Sequence, residues 1–145
     1  MNNLKEDKEL LLKDLCARLP YGVKVQTTYI MQSGERKDIG IDILTTVEIS
    51  MLIEGAEEHK PYLFPLSSMT EEQLNDFYAT IRPVIEEALD SWKIDKTEYD
   101  GERPITLKDL KADIVAVNWM LKNHFDMNGL IPMGLAIDAT GLNIY

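Results

Sequence analysis

The chain has one cysteine, Cys16, and two histidines, His59 and His124. A lone thiol excludes an internal disulfide and fits a reducing cytosol. His59 and His124 lie far apart, so there is no His-Glu-x-x-His helix, and a zinc site would need both of them plus carboxylates from distant segments. The eight glycines are scattered, so there is no phosphate-cradling loop, and a single cysteine leaves no Cys-x-x-Cys pair. No apolar run approaches the roughly 20 residues that span a bilayer. The opening stretch from Met1 to Glu9 is polar and mixed in charge, unlike a secretory leader. Basic residues number 15 against 25 acidic ones, a net charge of -10. That balance argues against a protein that coats phosphates, because such a surface must be basic.

What is present fits one globular domain over residues 1–145, cytoplasmic, with 45% hydrophobic residues to build a single core. The sharpest local signal lies between Lys60 and Gln73. Pro61 and Pro65 bracket Tyr62, Leu63 and Phe64, which predicts an extended piece anchored by large apolar side chains. Thr70 followed by Gln73 then reads as a capping box, with Glu71 and Glu72 placed where a helix dipole is positive.

Upstream, Leu4 to Leu19 reads as an amphipathic helix, capped by Asn3 or Asp7 and stopped by Pro20. Its spacing puts Cys16 on the apolar stripe, as a small buried side chain. Val23, Val25, Thr27 and Tyr29 alternate with polar residues, as in a half-buried strand, and Gln32 to Glu35 forms the turn after it. A longer alternation follows in Ile39, Ile41, Ile43, Val47, Ile49, Met51 and Ile53. It exceeds the usual strand length of about 5–6 residues, so a break near Thr45-Thr46 is expected, with one bulged strand as the alternative. Gly55 to His59 reads as an acidic loop.

Downstream of Thr70 the apolar set Leu74, Phe77, Tyr78, Ile81, Ile85, Ala88, Leu89 and Trp92 predicts one helix, kinked near Pro83. Lys93 to Arg103 reads as a surface connection. A second helix is expected from a Thr106 cap, with the stripe Leu107, Leu110, Ile114, Val117 and Leu121 widened by Val115 and Trp119; Asn123 to Gly129 ends it, with Asn128-Gly129 suited to a left-handed stop. The apolar segment from Leu130 to Asp138 is expected to pack back on the core.

Residues able to do chemistry are few. His124 and Asp126 form one cluster, and with Cys16 as nucleophile they would make a hydrolase or transferase site. The plainer reading places His124 at a helix C-terminus and makes Asp126 the cap of the following loop. The carboxylates Glu86, Glu87, Asp90, Asp95, Glu98, Asp100 and Glu102 read as a solvated acidic face. The sharper alternative is an imitation of nucleic-acid charge that inhibits a DNA-binding enzyme.

The segments Leu15 to Lys24, Lys60 to Thr70, and Asn123 to Asp126 with Gly129-Leu130-Ile131 and Gly134-Leu135-Ala136 resemble a set of small proteins encoded by phages, prophages and mobile elements of gut bacteria. The resemblance spans most of the chain but brings no activity, cofactor or catalytic residue with it. Those relatives often carry an aromatic residue and an arginine after the His-Phe-Asp, where this chain has Met127-Asn128. It implies a bacterial cytoplasmic setting and an accessory role in a mobile element.

The reading is therefore an α+β domain: an antiparallel sheet of about three strands, covered on one face by an N-terminal helix and two longer helices. No catalytic, cofactor-binding or metal-binding residue is assigned, and no cofactor. The expected partner is another protein, not nucleic acid or a membrane.

Overall fold

A computed structural model describes residues 4–95 and 107–145 of the chain. The elements run α1 (Leu4–Arg18), β1 (Lys24–Ile30), β2 (Arg36–Ile43), α2 (Thr46–Glu54), β3 (Glu57–Leu63), α3 (Glu71–Asp95), α4 (Leu107–Lys122) and β4 (Ile137–Asp138). They pack as two compact units. One joins Met1–Ser68 to Leu121–Tyr145, and the other is Met69–Met120.

The first unit holds a four-stranded mixed sheet in the order β2-β1-β3-β4. The pairs β1–β2 and β1–β3 are antiparallel, whereas β4 joins β3 in parallel through Tyr62↔Ile137 and Leu63↔Asp138. The expected antiparallel sheet is thus present, with a short parallel strand added at one edge. Met31 N–H donates to Glu35 O at 2.8 Å and closes the turn between β1 and β2, as Gln32 to Glu35 predicts.

The long isoleucine alternation does break near Thr45-Thr46, but its second half is a helix, not a strand. Thr45 and Glu48 form a capping box at the start of α2, and Gly55 at φ 78° ends it. These boundary signals overrule a period of two. Ile49 and Leu52, three residues apart, are buried, while Val47 and Ile53 are exposed. The first half is a strand whose isoleucines stay out of the core. The register sets Ile41 opposite Gln26 and Ile43 opposite Lys24, and it sets Asp42 opposite Val25. Opposed residues share a face, and Val25 is on the buried one, so the isoleucines are on the other. Gly55 to His59 is not a loop throughout, since β3 begins at Glu57.

The core cluster combines Leu11 and Leu15 of α1, Val25 of β1, Ile49 and Leu52 of α2, and Leu63 of β3 with Leu130 and Ala136. Packing of the Leu130–Asp138 segment against the core is therefore as expected. The helices that supply this core are α1 and α2. In α1 the buried face is Leu11, Asp14, Leu15 and Arg18. That arc leaves Cys16 exposed, against the expectation from the stripe.

The second unit pairs α3 with α4. Gln73 N–H donates to Thr70 Oγ1 at 3.1 Å, and Thr70 N–H donates to Gln73 Oε1 at 2.9 Å, the expected capping box. The helix runs through Pro83 without a break. Trp119 meets Phe77 edge-on at 5.0 Å and donates from Nε1 to Asp76 at 2.9 Å. Of the stripe expected on α4, Leu110, Ile114 and Val117 are exposed, whereas Leu121 and Trp119 are buried as expected. The helix ends at Lys122, just before the Asn123 to Gly129 stretch expected to end it, and both His124 at φ 62° and Gly129 at φ 70° are left-handed. The Asn3 and Thr106 caps and the connection beyond Asp95 lie outside the described residues. So do Glu98, Asp100 and Glu102.

Candidate functional site

Three places in the first unit gather polar or apolar groups. The first surrounds His124 and Asp126. Asp126 accepts from the Leu130 and Ile131 amides, both at 2.9 Å, so both carboxylate oxygens are committed to the loop. This matches its reading as a loop cap. The His124 ring stacks on Tyr145 with centroids 3.8 Å apart and planes 13° from parallel. Burial, helped by the positive charges of Arg18 and Lys24, lowers its pKa to about 4. Tyr145 donates to Tyr62 O at 2.8 Å and accepts from the Lys24 amide at 2.9 Å, and burial pushes its phenol up to about 12.

Arg18 sits beside this stack, fully buried. Its Nε reaches Asp14 at 2.6 Å and its Nη2 donates to Phe125 O at 2.7 Å. Asn128 adds a hydrogen bond to Asp14 at 2.9 Å. The cluster clamps α1 to the loop after α4. Cys16 points to solvent from α1 and shares no hydrogen bond with His124 or Asp126. The structure therefore does not join the three residues of the hydrolase or transferase reading into an acid–base relay, which needs contacts of about 3 Å.

The second place is a groove of about 400 Å³ between α1 and β3. From α1 come Leu4, Asp7, Lys8 and Leu11, spaced as one helical face; from β3 come the consecutive residues Glu57 to Lys60. His59 is 1% exposed. Its Nδ1 lies 3.0 Å from Thr27 Oγ1, the residue directly across the β1–β3 ladder. Its Nε2 is 3.2 Å from Glu57 Oε2, yet it makes no hydrogen bond of acceptable geometry. Glu57 sits two residues before His59 on the same face of β3, so the strand itself places the carboxylate. Burial pulls the imidazole below its ordinary value, and the nearby Glu57 and Glu48 only partly offset this. Arg36 and Glu58 pair at 3.0 Å on the rim.

Sequence reading named His59 but missed Thr27 and Glu57 as its partners. The missing signal was parity: Glu57, His59 and Pro61 share a face only once residues 57–63 are recognised as a strand.

The third place is the outer surface of β2, where Ile39, Ile41 and Ile43 are 53%, 50% and 55% exposed. Ile39 is the extra residue of a bulge opposite Thr27 and Thr28, beside Gly40 at φ 113°. Bulges blunt a sheet edge against pairing with another edge. Beyond the bulge, Ile41 and Ile43 still share the face opposite to that of Val25. Among the described residues no cluster of three or more metal-binding side chains occurs, and no helix is long and apolar enough to cross a membrane. The chain matches no family model, no curated protein and no solved structure.

Proposed function

We propose that this chain is a non-enzymatic accessory protein, of the kind that phages and mobile elements encode, and that it acts by contact with another protein. The observation that carries the reading is Ile41 and Ile43, half exposed on the face of the sheet turned away from the core, with Ile39 also exposed at the bulge beside them. Contiguous apolar side chains of this size on a surface mark interaction sites more often than chance exposure does. Binding would cover them and recover roughly 25 cal/mol for each Å² of apolar surface removed from water. The scattered catalytic residue types favour the same reading, because His124 and Asp126 are consumed by stacking and by loop hydrogen bonds.

The test is site-specific photo-crosslinking from position 41 or 43 in the native host. A discrete adduct that disappears in the Ile41→Lys/Ile43→Lys variant, with the fold intact by circular dichroism, is the expected result. No adduct from either position, alongside turnover in a broad hydrolase and transferase screen, would sink it.

A further inference from the structure

The antiparallel ladder between β1 and β3 has a fixed rhythm. Ile30 N–H donates to Ala56 O at 3.0 Å, and hydrogen-bonded pairs then recur at every second residue. Thr28↔Glu58 and Gln26↔Lys60 follow in that register, and the next bonded rung would fall on Lys24 and Tyr62. The strand pairing stops one step short of it, at Val25↔Pro61. In its place the Lys24 amide donates to Tyr145 Oη at 2.9 Å, and the same hydroxyl donates to Tyr62 O at 2.8 Å. One phenol thus stands where a backbone hydrogen bond would close the sheet, and it satisfies both the donor and the acceptor.

The place that receives this ring is built from segments far apart in the chain. His124 stacks on it at 3.8 Å, and Phe64 meets it at 5.9 Å with the planes tilted by 54°. The His124 backbone is left-handed at φ 62°; its amide donates to Leu121 O at 3.1 Å, and its carbonyl accepts from the Phe64 amide at 2.8 Å. Lys24 Nζ stands 5.7 Å from the centre of the Tyr145 ring and donates to Ile144 O. Burial pushes the phenol up to about 12, so the hydroxyl keeps its proton and stays a donor to Tyr62 O. Aromatic walls alone would accept any ring. The amide and carbonyl at the end of the slot select one that carries a hydroxyl, since a plain ring leaves two polar groups unpaired.

The segment that brings Tyr145 here is less covered. Thr140 to Asn143 are exposed and lie outside any helix or strand, with Gly141 and Asn143 left-handed at φ 76° and 51°. Tyr145 itself is 44% exposed, so the slot opens to solvent beside its occupant. Exposed segments of this kind open locally at a cost well below that of global unfolding.

We propose that the gap between Lys24 and Tyr62, walled by His124 and Phe64, is a binding slot for a 4-alkylphenol, that Tyr145 is its resident occupant, and that residues 140–145 form a strap whose local release uncovers it. The slot shares no residue with the isoleucine surface of β2, so either can fail while the other stands.

The experiment uses the full chain carrying Tyr145→Gly, isotopically labelled, titrated with p-cresol and followed by amide NMR. Saturable shifts centred on Lys24, Leu63 and His124 are expected. Toluene, which fills the same walls without the hydroxyl, should bind at least about tenfold more weakly. The unmutated chain should show none of these shifts at the same concentration, because Tyr145 holds the slot. Toluene binding as tightly as p-cresol, shifts centred elsewhere, no saturable binding, or equal binding by the unmutated chain would each overturn the proposal. Hydrogen exchange of the unmutated chain reads the strap: the Lys24 amide should be at least about tenfold less protected than that of Gln26, one rung further into the ladder, and equal protection would count against local release. Should the glycine variant fail to fold, Tyr145→Phe decides. It keeps the stacked ring but not the bridge, so exchange at Lys24 should rise about tenfold with Gln26 unchanged, and an unaltered Lys24 amide would sink the slot.

Discussion

β2 and α2 are neighbours in the chain and carry nearly the same pattern. In both, branched or long apolar residues alternate with polar ones, yet the first is a strand and the second a helix. The difference sits at the boundaries. β2 follows a tight turn and pairs with β1 throughout its length. α2 is opened by the Thr45–Glu48 box and closed by Gly55, whose amide donates to Leu52 O at 3.2 Å. The two also differ in what their apolar residues do. Ile49 and Leu52 enter the core, while Ile39, Ile41 and Ile43 face outward. Period alone therefore predicts neither the element nor the burial; caps and register decide both.

The largest effect should come from truncating the core side of α2. Leu52→Ala removes a buried side chain that touches the main cluster and should cost about 2–5 kcal/mol, read as a lower urea midpoint at unchanged m. Ile49→Ala should behave alike. If either proves neutral, α2 does not hold the sheet as described.

Acid should separate the two regions next, since β2 carries no histidine whereas buried His59 and half-buried His124 lie elsewhere in the same unit. Both imidazoles are depressed in the fold, His124 to about 4. The unfolded chain thus takes up protons first as the pH drops through 6.5, so stability present above that value is lost on the way to about pH 4. For His124 alone the loss is on the order of 3 kcal/mol. A His124→Asn variant keeps a residue type that tolerates the left-handed backbone and should flatten the stability profile between pH 6.5 and 4. An unchanged profile would contradict the buried, neutral ring.

A smaller effect is expected at the boundaries of α2. Thr45→Ala should cost about 1 kcal/mol through the lost cap, and Thr45→Asn far less. Gly55→Ala should cost a similar amount, because the space around Gly55 is open and only its φ of 78° resists a side chain. Amide exchange should rise across residues 46–54 and not across residues 36–43. The smallest effect belongs to β2: Ile41→Thr should change stability by less than about 0.5 kcal/mol, since the side chain is already in water. A larger change would mean the outward isoleucines support the fold.

Elements with local punctuation could be read directly from residues. The Thr70–Gln73 box, the turn through Gly34, and the Val25 and Thr27 alternation all recur in the structure as expected. What could not be read depends on partners distant in sequence. Cys16 is exposed, against expectation, because α1 turns its Asp14–Arg18 pair inward to reach Phe125 O, a contact no local spacing announces. His59 was visible as a residue type, but its setting needed the strand assignment of residues 57–63 and the register that brings Thr27 across from it. The outward isoleucines needed the same register, including the bulge at Ile39.

The unit that contains the sheet is split in two along the chain, with residues 69–120 inserted between its parts. During synthesis the first three strands precede the inserted unit, but Leu130, Ala136 and β4 emerge only after it. Arg18, 107 positions ahead of the carbonyl it clamps, waits through that interval as a nascent charge without its acceptor. Vectorial folding of this unit therefore reaches completion only once the 69–120 insert and the residues after it have been made.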